Sequence, residues 1–311
     1  MRMSRTIIEF GSRRWELEPS WGVLPRSLPA MPVAGVAAAE DGCVYALTRN
    51  HEHPIIAFDP DGRYMHTLGA ALDFGSEHGI SFAPDGCLWV CDSARHVAYK
   101  LTRRGEVVMQ LGQKDHPCDN GFRPEVPYPH NLYTVRRAGE PFNLPTGVVE
   151  TARGDIFACD GYGNASVHRF DREGRLTLTF GGPGDGPGQF RLPHALWVDG
   201  QDRVWVADRD NFRVEVFDRD GGLLRCFAPW YPRNCMYGAS TLWGDGEYVF
   251  CCQNADGMLV FNEQELTLEG LMASPAGSPL MGHSMCGDGQ GSLYIGHLNP
   301  APMLSRLRRV E

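Results

Sequence analysis

The sequence predicts an all-β fold, a six-bladed β-propeller, on three observations. A turn followed by a short β-branched and aromatic run recurs six times, as DGCVYALTR at 41–49, DGCLWVCDS at 85–93, RGDIFACDG at 153–161, QDRVWVADR at 201–209, DGEYVFCCQ at 245–253 and QGSLYIGHL at 290–298. Successive units are offset by 44, 68, 48, 44 and 45 residues, a blade-like period with one interval enlarged by an insertion. Helical periodicity is nearly absent, and the 37 Gly and 22 Pro fall between the strand-like runs as turn residues.

The elements of a unit follow in order. After each turn-and-strand comes a third strand such as HVAYKLTRRG (96–105), SVHRFDREG (166–174) or RVEVFDRDG (213–221), then a fourth such as EVVMQLG (106–112). Four short antiparallel strands make one blade, so residues 1–311 read as a single ring with an insertion at 113–142 between blades two and three. That insertion holds several Pro and aromatic residues with Arg136 and Arg137, and is expected to lid the channel mouth, with a plain surface loop or an oligomer contact as the open alternatives. The sixth unit runs out after its third strand, LSRLRRVE; the N-terminal segment, Ile7–Leu17, is expected to supply the missing outer strand and close the ring.

Composition limits the function classes. Lys+Arg 29 against Asp+Glu 38 gives a net charge of −9 with no basic run, which excludes nucleic acid as an expected partner. No apolar run approaches the roughly 18 residues of a membrane helix, so no membrane partner is expected. The start, MRMSRTIIEFGSRRWELEPSW, carries acids and tryptophans where a signal peptide has its apolar stretch, so a cytoplasmic location is expected. The 10 Cys are irregularly spaced, and Cys87, Cys91, Cys159, Cys251 and Cys252 lie in apolar strand-like runs, so most should be free thiols.

The repeat register singles out one position, seven residues before each turn, at the start of the innermost strand. It is filled by Ala34, His78, Thr146, His194, Gly238 and His283, with histidine in every second blade. Innermost strands line the central channel, so blades two, four and six should converge three imidazoles on one point. Three neutral His nitrogens with one open position describe a catalytic Zn²⁺ site, and the same ligand set accepts Fe²⁺ or another divalent transition metal. Asp92, Asp160, Asp208 and His297 share a second register position, where the aspartates should tie loops.

These residues also carry a resemblance. LPTGVV (144–149), DGYGNASVHRFDREGRL (160–176), PGQFRLPHALWVD (187–199) and VADRDNFRVEVF (206–217) resemble NHL repeats. The six units together resemble the catalytic core of peptidyl-α-hydroxyglycine α-amidating lyase, also called peptidylamidoglycolate lyase. The resemblance implies a zinc held by His78, His194 and His283, a catalytic Tyr162 in its DGY motif, Arg49 after the second strand of blade one, and Met281 two places before the last histidine. It implies cleavage of the C–N bond of an N-acyl α-hydroxyglycine to an amide and glyoxylate. In that chemistry Tyr162 takes the hydroxyl proton, with Arg49 as the cation that makes the phenol an effective base and as the partner of a substrate carboxylate, and Met281 packs against the substrate.

The bland readings stay open: Tyr162 capping an NHL-type turn, Arg49 in a structural ion pair, Met281 in the core. So do two other functions, a metal-dependent hydrolase or lactonase and a non-catalytic NHL interaction module. The chain also departs from the family. Phe142, Asn143 and Gly163 stand where a family disulfide would need cysteine, and Ser284 stands where a calcium-binding aspartate would follow the last histidine. Val36 and Ile80 can still offer backbone oxygens, but losing the carboxylate argues against tight Ca²⁺ binding. The expected substrate is therefore a small carbinolamide, carrying a carboxylate, rather than a prohormone; the oligomeric state is left open.

Overall fold

The computed structural model describes residues 5–227, 238–254, 257–275, 280–299 and 301–310. Six antiparallel sheets form a six-bladed propeller of four-stranded blades, with a fifth strand added to the closing blade. The innermost strands are Val33–Ala38, Glu77–Phe82, Pro145–Glu150, Pro193–Val198, Thr241–Gly244 and Ser284–Gly287. Second strands such as Leu88–Asp92, Ile156–Asp160 and Val204–Asp208 are buried along their whole length, because both faces lie against neighbouring blades. Outer strands such as Leu223–Phe227 are exposed or half-buried.

Six apolar clusters occupy the six seams between blades. Trp205, Val216, Leu242 and Phe261 fill the seam of blades four and five, for example, and Phe157, Val167, Phe190 and Phe217 that of blades three and four. The nine cysteines among the described residues are free thiols, and Cys91, Cys159, Cys251 and Cys252 are fully buried; Cys235 lies outside the described residues.

Closure differs in one respect from the expectation. The segment Ile7–Leu17 is not one strand but a hairpin, Thr6–Phe10 and Arg13–Glu18, turned at Gly11 with φ +56°. Arg13–Glu18 takes the fourth place in blade six against Leu304–Val310, and Thr6–Phe10 lies outside it. Trp15 and Leu17 turn inward and are buried, while Glu16 and Glu18 face Arg308 and Arg306 on the partner strand. Arg306 Nε lies 2.9 Å from Glu18, and Arg308 pairs with both Glu16 and Glu18.

At the start of each innermost strand of blades one to four the register of pairing shifts, between Val33 and Gly35, Glu77 and Ile80, Pro145 and Gly147, and Pro193 and Ala195. The residues caught in these bulges are Ala34, His78 with Gly79, Thr146 and His194. A bulge kinks the strand and re-aims the extra side chain. Here it frees His78 and His194 from the alternation of the pleat, while His283 stands just ahead of its strand. Gly79 is required beside His78, since a Cβ there would stand 2.4 Å from the carbonyl oxygen of Thr146.

Candidate metal centre

The structure brings the three sequence-predicted histidines together. Their ring centroids are 4.7 Å (His78 to His194), 4.8 Å (His78 to His283) and 5.0 Å (His194 to His283) apart. Among the described residues they form the one group of three or more His, Cys, Asp or Glu able to hold a metal ion, with candidate ligand atoms within 4.8 Å of one another. Each ring is oriented in the same way. Nδ1 lies 2.7 Å from Thr146 O in His78, 2.6 Å from Ser240 O in His194 and 2.7 Å from Ala34 O in His283. A carbonyl can only accept, so each Nδ1 carries the proton and each Nε2 presents a lone pair.

One assignment of the repeat register is corrected. In blade five the carbonyl equivalent to those of Ala34 and Thr146 belongs to Ser240, not Gly238. The turn of blade five closes Asp245 N–H onto Tyr248 O, one residue shorter than Asp199 onto Arg203 or Ala39 onto Cys43, and its Asp-Gly pair imitates that of blades one and two out of phase.

Burial holds all three imidazoles neutral. It drives His78 and His194 well below the ordinary histidine value, helped by His283 in the first case and Arg209 in the second. His283 is pushed down to about 4, chiefly by burial, with the Ala34 carbonyl opposing and Arg49 and Arg209 reinforcing.

Tyr162 stands over the triad. Its hydroxyl is 3.3 Å from Nε2 of His78 and 3.3 Å from Nε2 of His194. Arg209, which the sequence reading missed, donates from Nη1 to that hydroxyl at 3.1 Å. The cation on Tyr162 is thus Arg209 rather than Arg49. Burial opposes the charge of Arg209, but Tyr162, Tyr128 and Asp210 outweigh it and keep the guanidinium above its ordinary value. The signal was in the register: Arg209 follows Asp208 as Arg49 follows Thr48, and their backbone N–H groups bond Leu192 O and Pro32 O alike. Blades one and four are opposite in the ring, so the two guanidiniums flank the axis. Arg49 is exposed, and its charge acts on His78 and His283.

The donor set fits a divalent transition metal. The single Tyr162 proton can serve only one of the two Nε2 atoms it faces, and His283 Nε2 has no hydrogen-bond donor among the described residues. At least two inward lone pairs thus lack a proton to accept. That pattern suits Zn²⁺, Fe²⁺ or Co²⁺.

The remaining predicted residues fall nearby. Met281 is half-buried, two residues before His283. Asp92, Asp160 and Asp208 tie loops, accepting from the N–H of Gly75 and Ser76, of Asn143, and of Arg191 and Leu192 respectively. Gly163 N–H donates to Asn143 O at 3.0 Å, joining by hydrogen bond the two loop segments where the resemblance would place a disulfide. Ser284, Val36 and Ile80 line a cavity of about 280 Å³ that continues down the axis from the triad towards Trp197 and Trp243. The insertion reaches the site through Tyr128, whose hydroxyl lies 2.9 Å from Arg209 Nη2 and 2.9 Å from Asp210 Oδ1.

Comparison with known proteins agrees with this architecture. The NHL repeat pattern matches residues 190–217. Human NHL repeat-containing protein 3 is 26% identical over 77% of the chain, which spans 67% of that protein. Peptidyl-alpha-hydroxyglycine alpha-amidating lyase 1 of Drosophila melanogaster is 31% identical over 55% of the chain, which spans 30% of that protein's length. Among solved structures, a streptogramin B lyase superposes with a TM-score of 0.64 at 12% identity, covering 94% of this chain and 97% of that one. A gluconolactonase from Xanthomonas campestris gives 0.62 at 16% identity, covering 99% and 96%. The chain is a six-bladed β-propeller carrying an NHL repeat, similar over about half its length to proteins named amidating lyases.

Proposed function

We propose that this protein is a metal-dependent lyase that cleaves the C–N bond of an N-acyl α-hydroxyglycine, or a related small carbinolamide, to an amide and glyoxylate or another carbonyl product. The observation that carries the reading is the convergence of three neutral imidazoles beneath a tyrosine hydroxyl that is itself bonded to a buried arginine. Identity to proteins named amidating lyases supports it.

His78, His194 and His283 would hold the metal through Nε2, and a divalent cation there supplies Lewis acidity to the substrate hydroxyl. Arg209 holds the Tyr162 oxygen over the triad and stabilises negative charge on it. Acting as the phenolate, with its own proton already given up, Tyr162 takes the hydroxyl proton as the carbonyl of the product forms. The electron pair of the breaking C–N bond goes to nitrogen, which receives that same proton back from Tyr162, so the amide leaves without consuming water and the phenolate is restored. Arg49, exposed at the mouth on the opposite side, takes the substrate carboxylate bidentately. Met281 packs against the substrate in this reading.

The test is α-hydroxyhippurate with the metal-loaded protein. Glyoxylate and benzamide in equal amounts, lost together with bound metal in His194→Ala, are expected. Release of benzoate with oxygen from labelled water would instead identify a hydrolase. No metal in protein never exposed to chelator, with no turnover, would leave a non-catalytic propeller.

A further inference from the structure

The triad sits in a circuit of hydrogen bonds that crosses from blade to blade at a single level. His78 Nδ1–H bonds the carbonyl of Thr146 in blade three at 2.7 Å. The Thr146 hydroxyl donates to Pro193 O, the residue before His194, at 2.9 Å. His194 Nδ1–H bonds Ser240 O in blade five at 2.6 Å, and the Ser240 hydroxyl donates to Gly282 O, the residue before His283, at 3.0 Å. His283 Nδ1–H then bonds Ala34 O in blade one at 2.7 Å. Five of the six seams are crossed in this way. At the sixth, Ala34 offers no hydroxyl to Glu77 O, the residue before His78.

We propose that Thr146 and Ser240 are positioning residues for the metal centre: their carbonyls aim the rings of His78 and His194, and their hydroxyls anchor the backbone just ahead of His194 and His283. This rests on the metal reading of the triad given above. The blades without a ligand set the geometry of the blades that have one. Alternation of histidine with a hydroxyl residue is the rule, and Ala34 is its exception, leaving His78 the least tethered of the three. Each hydroxyl has one proton, for which a carbonyl of its own blade also competes: Thr146 Oγ1 lies 3.3 Å from Cys159 O as well, and Ser240 Oγ 2.9 Å from Cys252 O, so the proton is shared between the home blade and the next. Thr146 is 1% exposed and Ser240 8%, so water has little access to replace either bond.

The experiment uses the full chain with Thr146→Val, Ser240→Ala, Ser240→Thr and Ala34→Ser, with Co²⁺ as the probe. Ring N–H exchange of ¹⁵N-histidine in the metal-free protein is the first readout. The assignment is specific: Thr146→Val should speed exchange at His194, Ser240→Ala at His283, and Ala34→Ser should slow it at His78. Co²⁺ affinity by chelator competition is the second. Losing either hydroxyl should weaken it about tenfold or more and alter the visible Co²⁺ spectrum, as loss of an outer-shell partner does, while Ser240→Thr restores both. Unchanged exchange at His194 and His283 in the two hydroxyl-free variants overturns the proposal whatever the metal affinity. A wild-type chain that takes up no Co²⁺ overturns the metal reading instead, and ring exchange then judges the positioning role alone.

Discussion

Two arginines occupy one register position in opposite blades, and their surroundings divide their work. Arg209 is buried with its guanidinium on the hydroxyls of Tyr162 and Tyr128, whereas Arg49 is exposed at the mouth. Arg209→Met is therefore expected to lower kcat by about two to three orders of magnitude with a far smaller change in KM. Arg49→Met should do the reverse and raise KM for a carboxylate substrate; steady-state kinetics on α-hydroxyhippurate separates them. The triad also sets a pH dependence. Folded His283 sits at about 4 against an ordinary value of 6.5. Between those values the unfolded chain binds more protons than the folded one, so stability rises with pH across the window. Metal-free protein should thus be fully stabilised above about pH 6.5 and lose stability progressively towards pH 4. Urea midpoints at pH 7 and pH 5 check this, and His283→Gln should reduce the difference, leaving the share carried by His78 and His194. The histidines were legible because a repeat converts spacing into convergence. Arg209 lay inside the NHL-like run 206–217 and shared the register position of Arg49, but spacing alone did not distinguish it from a surface arginine, and Ser240 was hidden by a turn one residue shorter than its siblings.

At the level of elements, the clasp of blade six depends on charge order. Glu16 and Glu18 on the N-terminal strand face Arg308 and Arg306 on the last, with Trp15 and Leu17 packed on the other face. Reversing the arginines, Arg306→Glu with Arg308→Glu, should lower Tm by several degrees, since like charges across a strand pair cost about as much as opposite ones contribute. Adding Glu16→Arg and Glu18→Arg should recover part of the loss, as thermal unfolding followed by circular dichroism would show. The sequence disclosed that the N-terminus had to fill this edge, because the sixth unit lacked a strand. The hairpin was missed there: Ile7–Leu17 is read as one strand although the Gly11-Ser12 pair interrupts it, and the positive φ at Gly11 makes that pair the turn. The contact of Tyr128 with Arg209 was equally hidden, since a long insertion carries no periodicity from which a partner can be read.

For the whole molecule, the metal would join blades two, four and six, which touch one another only across the channel. A ligand that binds the folded ring and not the open chain stabilises it by mass action, about 2.7 kcal/mol at a free concentration of 100 times Kd. Zn²⁺ should raise Tm in a dose-dependent way, chelator should reverse it, and His194→Ala should abolish the response in calorimetry. The fold itself was legible almost entirely, because six copies of one weak signal are stronger than any single strand. The last link of the hydrogen-bond circuit carries a further consequence. The carbonyl that aims His283 belongs to Ala34, so the histidine of blade six is oriented by blade one across the closing seam. The centre therefore becomes competent only when blades one and six have met, and metal uptake would report closure of the ring.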